Sequence, residues 1–368
     1  MRPAFARIDL DALRHNYRLI RQAHGGRLMA VLKADAYGHG AVACARALEA
    51  DADGFVVAFL QEALELRAAG ITRPILLIEG VFDVSELDQV VRHGLWLGVH
   101  HEEQVRMIEQ LAGDGCIHVW LKVNSGMNRA GFSGNAVRQA WQRLQMSGNV
   151  ADIVLMSHFA RADEPDIAMT REQIAVFEAV THGLPGKRSL SNSAGILAWP
   201  QAVRDWARAG IVLYGIDPML GGTYTLSQAL RPVMTLGSAV MAVRDIEPGA
   251  SLGYGGRFVA TQPMRIGLVA MGYADGYPRA TPDGIPVMVA GERTRLVGRV
   301  SMDMLTIDLT QVPAAGLGSE VELWGKHISV NRIAAAANTI GYELLCNVKR
   351  VRYDYLSGQD EGVSGVSS

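Results

Sequence analysis

Through the first 230 residues, apolar runs of strand length alternate with amphipathic helical segments. An opening helical stretch, roughly Asp9 to Ala23, places apolar residues at Leu10, Leu13, Tyr17 and Ile20. Eight short runs follow: RLMAVLK, GFVVAF, PILLIEG, LWLGVH, IHVWLKVN, ADIVLMSHF, RSLSNSA and AGIVLYG. Most are continuously apolar rather than alternating, as strands buried on both faces require. Segments between them, such as QEALELRAAG and EEQVRMIEQLAG, carry helical periodicity and end in glycine, a common helix stop. Strand and helix alternating eight times predicts an α/β fold, a (β/α)₈ barrel of the TIM type, over residues 1–230. From residue 231 the pattern changes to strand-like runs between Pro, Gly and Asp turns, with one late helical stretch near Arg332 to Thr339. Residues 231–356 therefore read as a mostly-β second domain. The last stretch, 357–368 (SGQDEGVSGVSS), has the composition of a disordered tail.

Composition narrows the class. The chain has 368 residues, 49% of them hydrophobic, which suits a compact globule too large for one ordinary core. Its 35 basic and 37 acidic residues nearly cancel, so there is no electrostatic footprint of nucleic-acid binding and a small-molecule ligand is expected. No apolar run approaches the ~20 residues of a membrane helix. The basic residues of MRPAFARIDL are not followed by the apolar segment of a secretory signal, and Cys44, Cys116 and Cys346 are scattered without a CxxC pair. Both features lead us to expect a cytoplasmic protein with no disulfide frame and no zinc knuckle.

The barrel gives the candidate chemistry a location, because active sites of such barrels lie at the carboxyl ends of the strands. VLKADAYGHG, residues 31–40, ends the first run with Lys33. That lysine either reaches solvent or is a desolvated nucleophile. Lys122, His158, Ser193 and the segment from Arg208 to Tyr214 stand at the ends of the fifth to eighth runs. SNSAG and RAG offer small residues and backbone N–H groups where barrel proteins commonly bind phosphate. A lysine at one strand end and a phosphate cradle at others suggest pyridoxal phosphate. Taken singly, Tyr254 reads as an ordinary turn aromatic in a glycine-rich loop, Arg208 equally as a cap of the helix before it or a partner of Asp205, and His158 as a core histidine. The glycine-rich GGTYTLS and GYGGR lack nucleotide-loop order, and no HExxH pattern for a metal is present.

Eight strings, in order, resemble the alanine racemases, which are pyridoxal-phosphate enzymes with an N-terminal barrel and a C-terminal β domain. They are VLKADAYGHG, KVNSGMNRAGF, MSHFARAD, SNSAG, RAGIVLYG, GYGGRF, MGYADGYPR and GRVSMDM, and the resemblance runs from about Arg7 to Arg352. It implies interconversion of L- and D-alanine, either to supply D-alanine for peptidoglycan or to catabolise L-alanine. It implies Lys33 as the cofactor's covalent anchor and one base, with Tyr254 as the base on the opposite face. Tyr37, Ser193 and the backbone of Gly210 and Ile211 would hold phosphate, beside Asn192 in the same motif. Arg208 would face the pyridine nitrogen, and His158 would join it in orienting the tyrosine. Arg129 and the N–H of Met302, next to Asp303, would bind the substrate carboxylate, and Lys122 matches a lysine that is often carbamylated. Tyr273, Asp163, Arg279 and Arg299 would line the entrance. The family also implies a homodimer in which Tyr254, Tyr273 and Met302 complete the partner's site.

One departure stands out. The family's usual RVPR string, preceded by a tyrosine, is replaced by CNVKRVRYDY, with Lys349 at the tyrosine's place and no proline. Three other readings remain at this stage. A decarboxylase of the ornithine or diaminopimelate type is opposed by Arg208, where those enzymes keep an acid. A cofactor carrier built on the barrel alone leaves the β domain without a use, and an exported broad-specificity racemase lacks its signal.

Overall fold

The computed structural model describes residues 2–111, 116–219 and 224–358. The tail expected over 357–368 falls outside them from 359 onward, as do residues 221–223 of GGTYTLS. The chain forms two compact units, Leu13–Leu230 and a second made of Met1–Ala12 with Arg231–Ser368. The second unit thus takes strand β1 (Phe5–Asp9), which the expected division at residue 230 had left with the barrel. Its partners lie more than two hundred residues downstream, so no local pattern signals it.

The first unit is a closed parallel barrel of β2 (Arg27–Val31), β3 (Gly54–Val57), β4 (Ile75–Leu77), β5 (Trp96–Val99), β6 (Ile117–Lys122), β7 (Val150–Met156), β8 (Lys187–Ser189) and β9 (Trp206–Ala209). Every residue of β3, β4 and β9 is buried, the result of covering both faces with helices and barrel core. Trp206 packs edge-on against Trp96 and Trp120, with ring centroids 5.7 Å apart in each pair. Trp96 and Trp206 open their strands, so these indoles fill the barrel toward its amino end. The helix Leu10–His24 meets the barrel through Tyr17, whose hydroxyl donates to the Leu28 carbonyl at 2.9 Å, and Asn16, whose amide donates to Leu213 at 3.0 Å.

The last barrel strand corrects the sequence reading. AGIVLYG was expected to be that strand, yet the strand is Trp206–Ala209 and Ile211–Tyr214 winds into a 3₁₀ turn. All four turn residues are buried, and a short buried apolar run does not declare its period. Gly210, at φ −109° and ψ −104°, ends the strand. The seventh strand is likewise short, and Ser193 begins a helix, Ser193–Ala198.

In the second unit one eight-stranded sheet is built on β10 (Met234–Ile246). The other strands of the unit are β11 (Ser251–Leu252), β12 (Phe258–Val259), β13 (Met264–Val269), β14 (Pro286–Val289), β15 (Glu292–Arg295), β16 (Leu305–Asp308), β17 (Glu320–Trp324) and β18 (Arg352–Leu356). The main path runs β15-β14-β17-β10-β1-β18, β13 and β16 continue from β10, and β11 pairs only with β12. β1 lies antiparallel to β10 and parallel to β18. Two helices follow, Val330–Ala336 and Gly341–Cys346; the second was not anticipated, since six residues are too few to show a helical period. Among the described residues no helix is long and apolar enough to cross a membrane.

Gly237 of β10 faces Phe5 of β1, and a Cβ there would stand 2.4 Å from the Phe5 ring and 2.7 Å from the Val321 carbonyl. Gly237→Val should therefore destabilise the sheet by about 1–3 kcal/mol. A lowered midpoint of urea unfolding at unchanged slope would register this, and an unmoved midpoint would refute the close packing.

Candidate active site

At the carboxyl end of β2 the backbone does something rare. Residues Lys33–Gly38 form one tight turn in which Ala34, Asp35, Ala36 and Tyr37 all have φ of 52–53° and ψ of 42–51°. That is left-handed helix, costing L-residues roughly 1–2 kcal/mol each. The surroundings hold it. The Ala36 N–H donates to Leu32 O at 2.7 Å, the Ala34 N–H to Glu62 Oε1 at 2.6 Å, and the Ala41 N–H to Asp35 Oδ1 at 2.6 Å. Lys33, at the start of this turn, is half-buried, and its side chain makes no hydrogen bond or ion pair among the described residues.

The turn sends Tyr37 toward the end of β9. A Cβ on Gly210 would lie 2.7 Å from the Tyr37 hydroxyl and 3.7 Å from Ser193 Oγ, so only glycine leaves that space open. The Gly210 N–H donates to Ser193 Oγ at 3.0 Å. Asn192 caps the helix that Ser193 begins, accepting from the Gly195 N–H at 2.9 Å. Ile211 opens the 3₁₀ turn, whose first N–H groups have no partner inside it. Tyr37, Ser193, Gly210 and Ile211 thus make a cradle of hydroxyls and backbone N–H groups, contributed by loops that follow the neighbouring strands β2, β8 and β9.

Arg208, on β9, is 3% exposed. Its Nη1 donates to Ser189 Oγ at 2.5 Å and to the Ser189 carbonyl at 3.1 Å. Its Nη2 donates to the carbonyls of Ser157 at 2.6 Å and Leu190 at 3.3 Å. Among the described residues these contacts leave Nε without a hydrogen-bond partner. Burial lowers the guanidinium to about 10, still cationic at neutral pH. Lys122, at the end of β6, is buried and its pKa falls, first through desolvation and then through the charges of Arg129, Arg208 and Lys33, against an upward pull from Glu79. His158 falls well below the usual histidine range, through burial first and then the same cations with Lys122. Lys122, Arg129, Ser157 and His158 line one recess. Four cations within electrostatic reach of one another at one barrel end suit an anionic ligand. Asp163 is half-buried, in the loop after His158. A cavity of about 860 Å³ opens at the other end, among Tyr17, Arg27, Lys187 and Trp206, but its walls are committed to pairs such as Arg18–Asp51 at 2.7 Å.

The remaining expected residues lie in the second unit. Tyr254 is 67% exposed, on a turn after Gly253 (φ 74°), whose Cβ position is 3.6 Å from the Arg299 backbone. Tyr273 and Met302 are neighbours: the N–H groups of Tyr273 and Ala274 donate to the carbonyls of Ser301 and Met302 at 3.0 Å. Met302 is 53% exposed. The charge of Arg257 lowers the Arg299 pKa most, with a smaller effect from Arg279, so these three arginines share one region. Asp303 pairs with Arg350 at 2.6 Å. Lys349 is exposed, and its backbone N–H donates to Asp275 O at 3.0 Å. Asp275 itself is fully buried between Arg2 and Arg350 and accepts the Gly272 N–H at 2.9 Å.

Sequence reasoning missed the groups that hold others in place: Ser189 and Ser157 around Arg208, Glu62 and His39 around the turn, and Asp275 beneath Tyr273. Serines inside the apolar runs MSHF and RSLS were the available signal.

A closed barrel with reactive side chains at its carboxyl end, followed by a β-rich unit, is the architecture of a two-part barrel enzyme. A family model described as "Alanine racemase, N-terminal domain" matches residues 8–218, and one described as "Alanine racemase, C-terminal domain" matches 233–355. The chain belongs to the alanine racemase family. It is 66% identical over 355 residues to an alanine racemase of Azoarcus sp., covering 96% of this chain and 99% of the relative. It is 56% identical to a catabolic alanine racemase of Pseudomonas putida, with 97% and 99% covered. The biosynthetic alanine racemase of Pseudomonas aeruginosa superposes with a TM-score of 0.93 at 44% identity, covering 97% of this chain and all of the other. The alanine racemase of Bartonella henselae with covalently bound pyridoxal phosphate gives a TM-score of 0.86 at 28% identity, with 96% and 99% covered.

Burial keeps His158 neutral and pushes His39 down to about 4, whereas an unfolded histidine titrates near 6.5. Below about pH 6.5 the unfolded chain binds more protons, so stability is whole above that pH and falls as pH drops toward about 4. Urea midpoints measured across that window should decline with acidification, and less steeply in His158→Asn; identical slopes would contradict a neutral buried His158.

Proposed function

We propose that the chain interconverts L- and D-alanine with pyridoxal phosphate, using Lys33 and Tyr254 as bases on opposite faces of the α-carbon. The observation that supports the cofactor is the cradle of Tyr37, Ser193, Gly210 and Ile211 beside Lys33, where a Gly210 Cβ would fill the opening 2.7 Å from the Tyr37 hydroxyl. When bound, pyridoxal phosphate supplies an electron-poor ring that spreads the charge left by a departing α-proton. In the resting enzyme Lys33 Nζ would hold the cofactor covalently, and the cradle would grip its phosphate, with Asn192 fixing the loop that carries Ser193. Arg208, cationic and held by Ser157, Ser189 and Leu190, would meet the ring of the cofactor and limit how strongly that ring draws off charge. A decarboxylase-type reading calls for an acid there, so Arg208 weighs against it.

Racemisation takes a proton from one face and returns one to the other. Lys33 Nζ serves one face and Tyr254 Oη the other. A phenol with an ordinary pKa near 10 needs a nearby cation to act as a base, and we assign that charge to Arg208, with the neutral His158 orienting the hydroxyl. Arg129 and the Met302 N–H, beside Asp303, orient the substrate carboxylate. Lys122, with its pKa lowered by burial, is the amine disposed to take up carbon dioxide as a carbamate with loss of a proton, which would give Arg129 an anionic partner. Tyr273, Asp163, Arg279 and Arg299 form the entrance, where Lys349 replaces the family's tyrosine.

The working form we propose is a homodimer in which Tyr254, Tyr273 and Met302 serve the partner's Lys33. The exposure of Tyr254, Met302 and Met304 on the β unit supports an apolar surface awaiting cover. The free thiols of Cys44 and Cys116 accord with a cytoplasmic protein.

A chiral assay of both alanine enantiomers, with and without added pyridoxal phosphate, tests the activity; no interconversion of either would refute it. Lys33→Ala should lose the visible absorbance of the lysine-bound cofactor. Tyr254→Phe should lose roughly 10²–10⁴ in rate while still exchanging the α-proton of one enantiomer with solvent deuterium. Equal loss of exchange for both would argue against two bases. Mixed Lys33→Ala and Tyr254→Phe subunits should regain partial activity, and none in proven heterodimers would place both bases in one chain.

A further inference from the structure

We propose that His39 is a positioning residue for the cofactor's phosphate grip: by donating its Nδ1–H to the carbonyls of Ala36 and Tyr37, it holds the left-handed turn that aims the Tyr37 hydroxyl. The inference rests on the reading of Tyr37 as a phosphate ligand, and the test below separates the two.

His39 is fully buried. Its Nδ1 lies 3.0 Å from Ala36 O and 2.9 Å from Tyr37 O, the last two carbonyls of the strained turn. Two acceptors on one ring nitrogen fix the tautomer, with the proton on Nδ1. Its backbone N–H reaches back to Asp35 O at 3.0 Å and Ala36 O at 3.2 Å. The ring stacks on Tyr214 with centroids 4.4 Å apart, Tyr214 donates to Val31 O of β2 at 2.8 Å, and the Tyr37 ring lies 5.0 Å from Tyr214 on another side. One short column thus ties strand, histidine and Tyr37 together. Nε2 of His39 is buried without a hydrogen-bond partner. Leaving a polar atom so is costly, so an apolar ring would suit the space better unless the Nδ1 donor mattered. Burial also lowers the imidazole to about 4, so it remains a neutral donor at physiological pH.

Four successive left-handed residues persist only where their surroundings over-determine them. Glu62 secures the entry to the turn and His39 its exit. Without the exit clamp, Ala36 and Tyr37 relax toward the right-handed region and the Tyr37 side chain leaves the neighbourhood of Gly210.

Two substitutions separate the donor from the packing. His39→Phe keeps an aromatic ring against Tyr214 and removes the donor, whereas His39→Asn keeps an amide donor and removes the stack. The full chain, stripped of cofactor, is titrated with pyridoxal phosphate and followed by visible absorbance. His39→Phe should weaken affinity about tenfold or more, the scale of a buried hydrogen bond lost, and His39→Asn should stay within about threefold of wild type. Tyr37→Phe should weaken it too, and the double variant Tyr37→Phe/His39→Phe should lose no more than the worse single variant, because His39 acts through Tyr37. Wild-type affinity in His39→Phe, or additive losses in the double variant, overturns the inference while leaving the Tyr37 reading intact. Wild-type affinity in Tyr37→Phe removes that reading and the inference with it. If His39→Phe does not fold, His39→Asn decides alone: a loss beyond tenfold refutes the donor's role.

Discussion

Everything at the reactive end of this barrel depends on a turn wound the wrong way. An ordinary right-handed start after β2 would carry Tyr37 and Gly38 along a different path, away from the end of β9. Ala34 through Tyr37 instead run left-handed, at an intrinsic cost of roughly 1–2 kcal/mol per residue. Hydrogen bonds from the turn to Glu62, Leu32 and His39 offset that cost. The reward is geometric: the Tyr37 hydroxyl and Ser193 meet at a small space opened by the missing side chain of Gly210.

Charge is the second organising element. Lys33, Lys122, Arg129 and Arg208 gather where Glu79 alone opposes them in the titration of Lys122. Such a group is uncomfortable unless an anion joins it, and a ligand bearing a phosphate, followed by a substrate bearing a carboxylate, would supply two. The buried guanidinium of Arg208 is tolerable because four acceptors meet its two terminal nitrogens. Among the described residues this leaves Nε as its one available donor. The serines that provide this support are as much a part of the chemistry as the arginine.

Much of this was legible in the chain. Six barrel strands fall where continuous apolar runs put them, and the motif order led to the family that the comparisons show. What failed did so for identifiable reasons. IVLY is apolar enough for either a strand or a buried turn, and the choice fell to Gly210, whose conformation no pattern announces. β1 is a strand only because β10 and β18 receive it. In the site, residues with reactive atoms were easy to nominate from type and position. Those that act by accepting a hydrogen bond from a neighbour's N–H, such as Glu62 and Ser189, look like any surface glutamate or core serine until the fold brings them together. The handedness of the ADAY turn had no sequence cue at all, since alanine ordinarily favours the opposite hand.

The placement of β1 has a consequence for how the molecule is made. During synthesis the first strand leaves the ribosome well before Met234, and at about 5–20 residues per second that interval lasts roughly ten seconds or more. The barrel has all its strands while β1 still waits for the neighbours that will flank it. The nascent chain must therefore keep an unpaired amino-terminal ribbon soluble until its far end arrives. A gene fragment starting at codon 231 would encode a sheet with its inner seam missing.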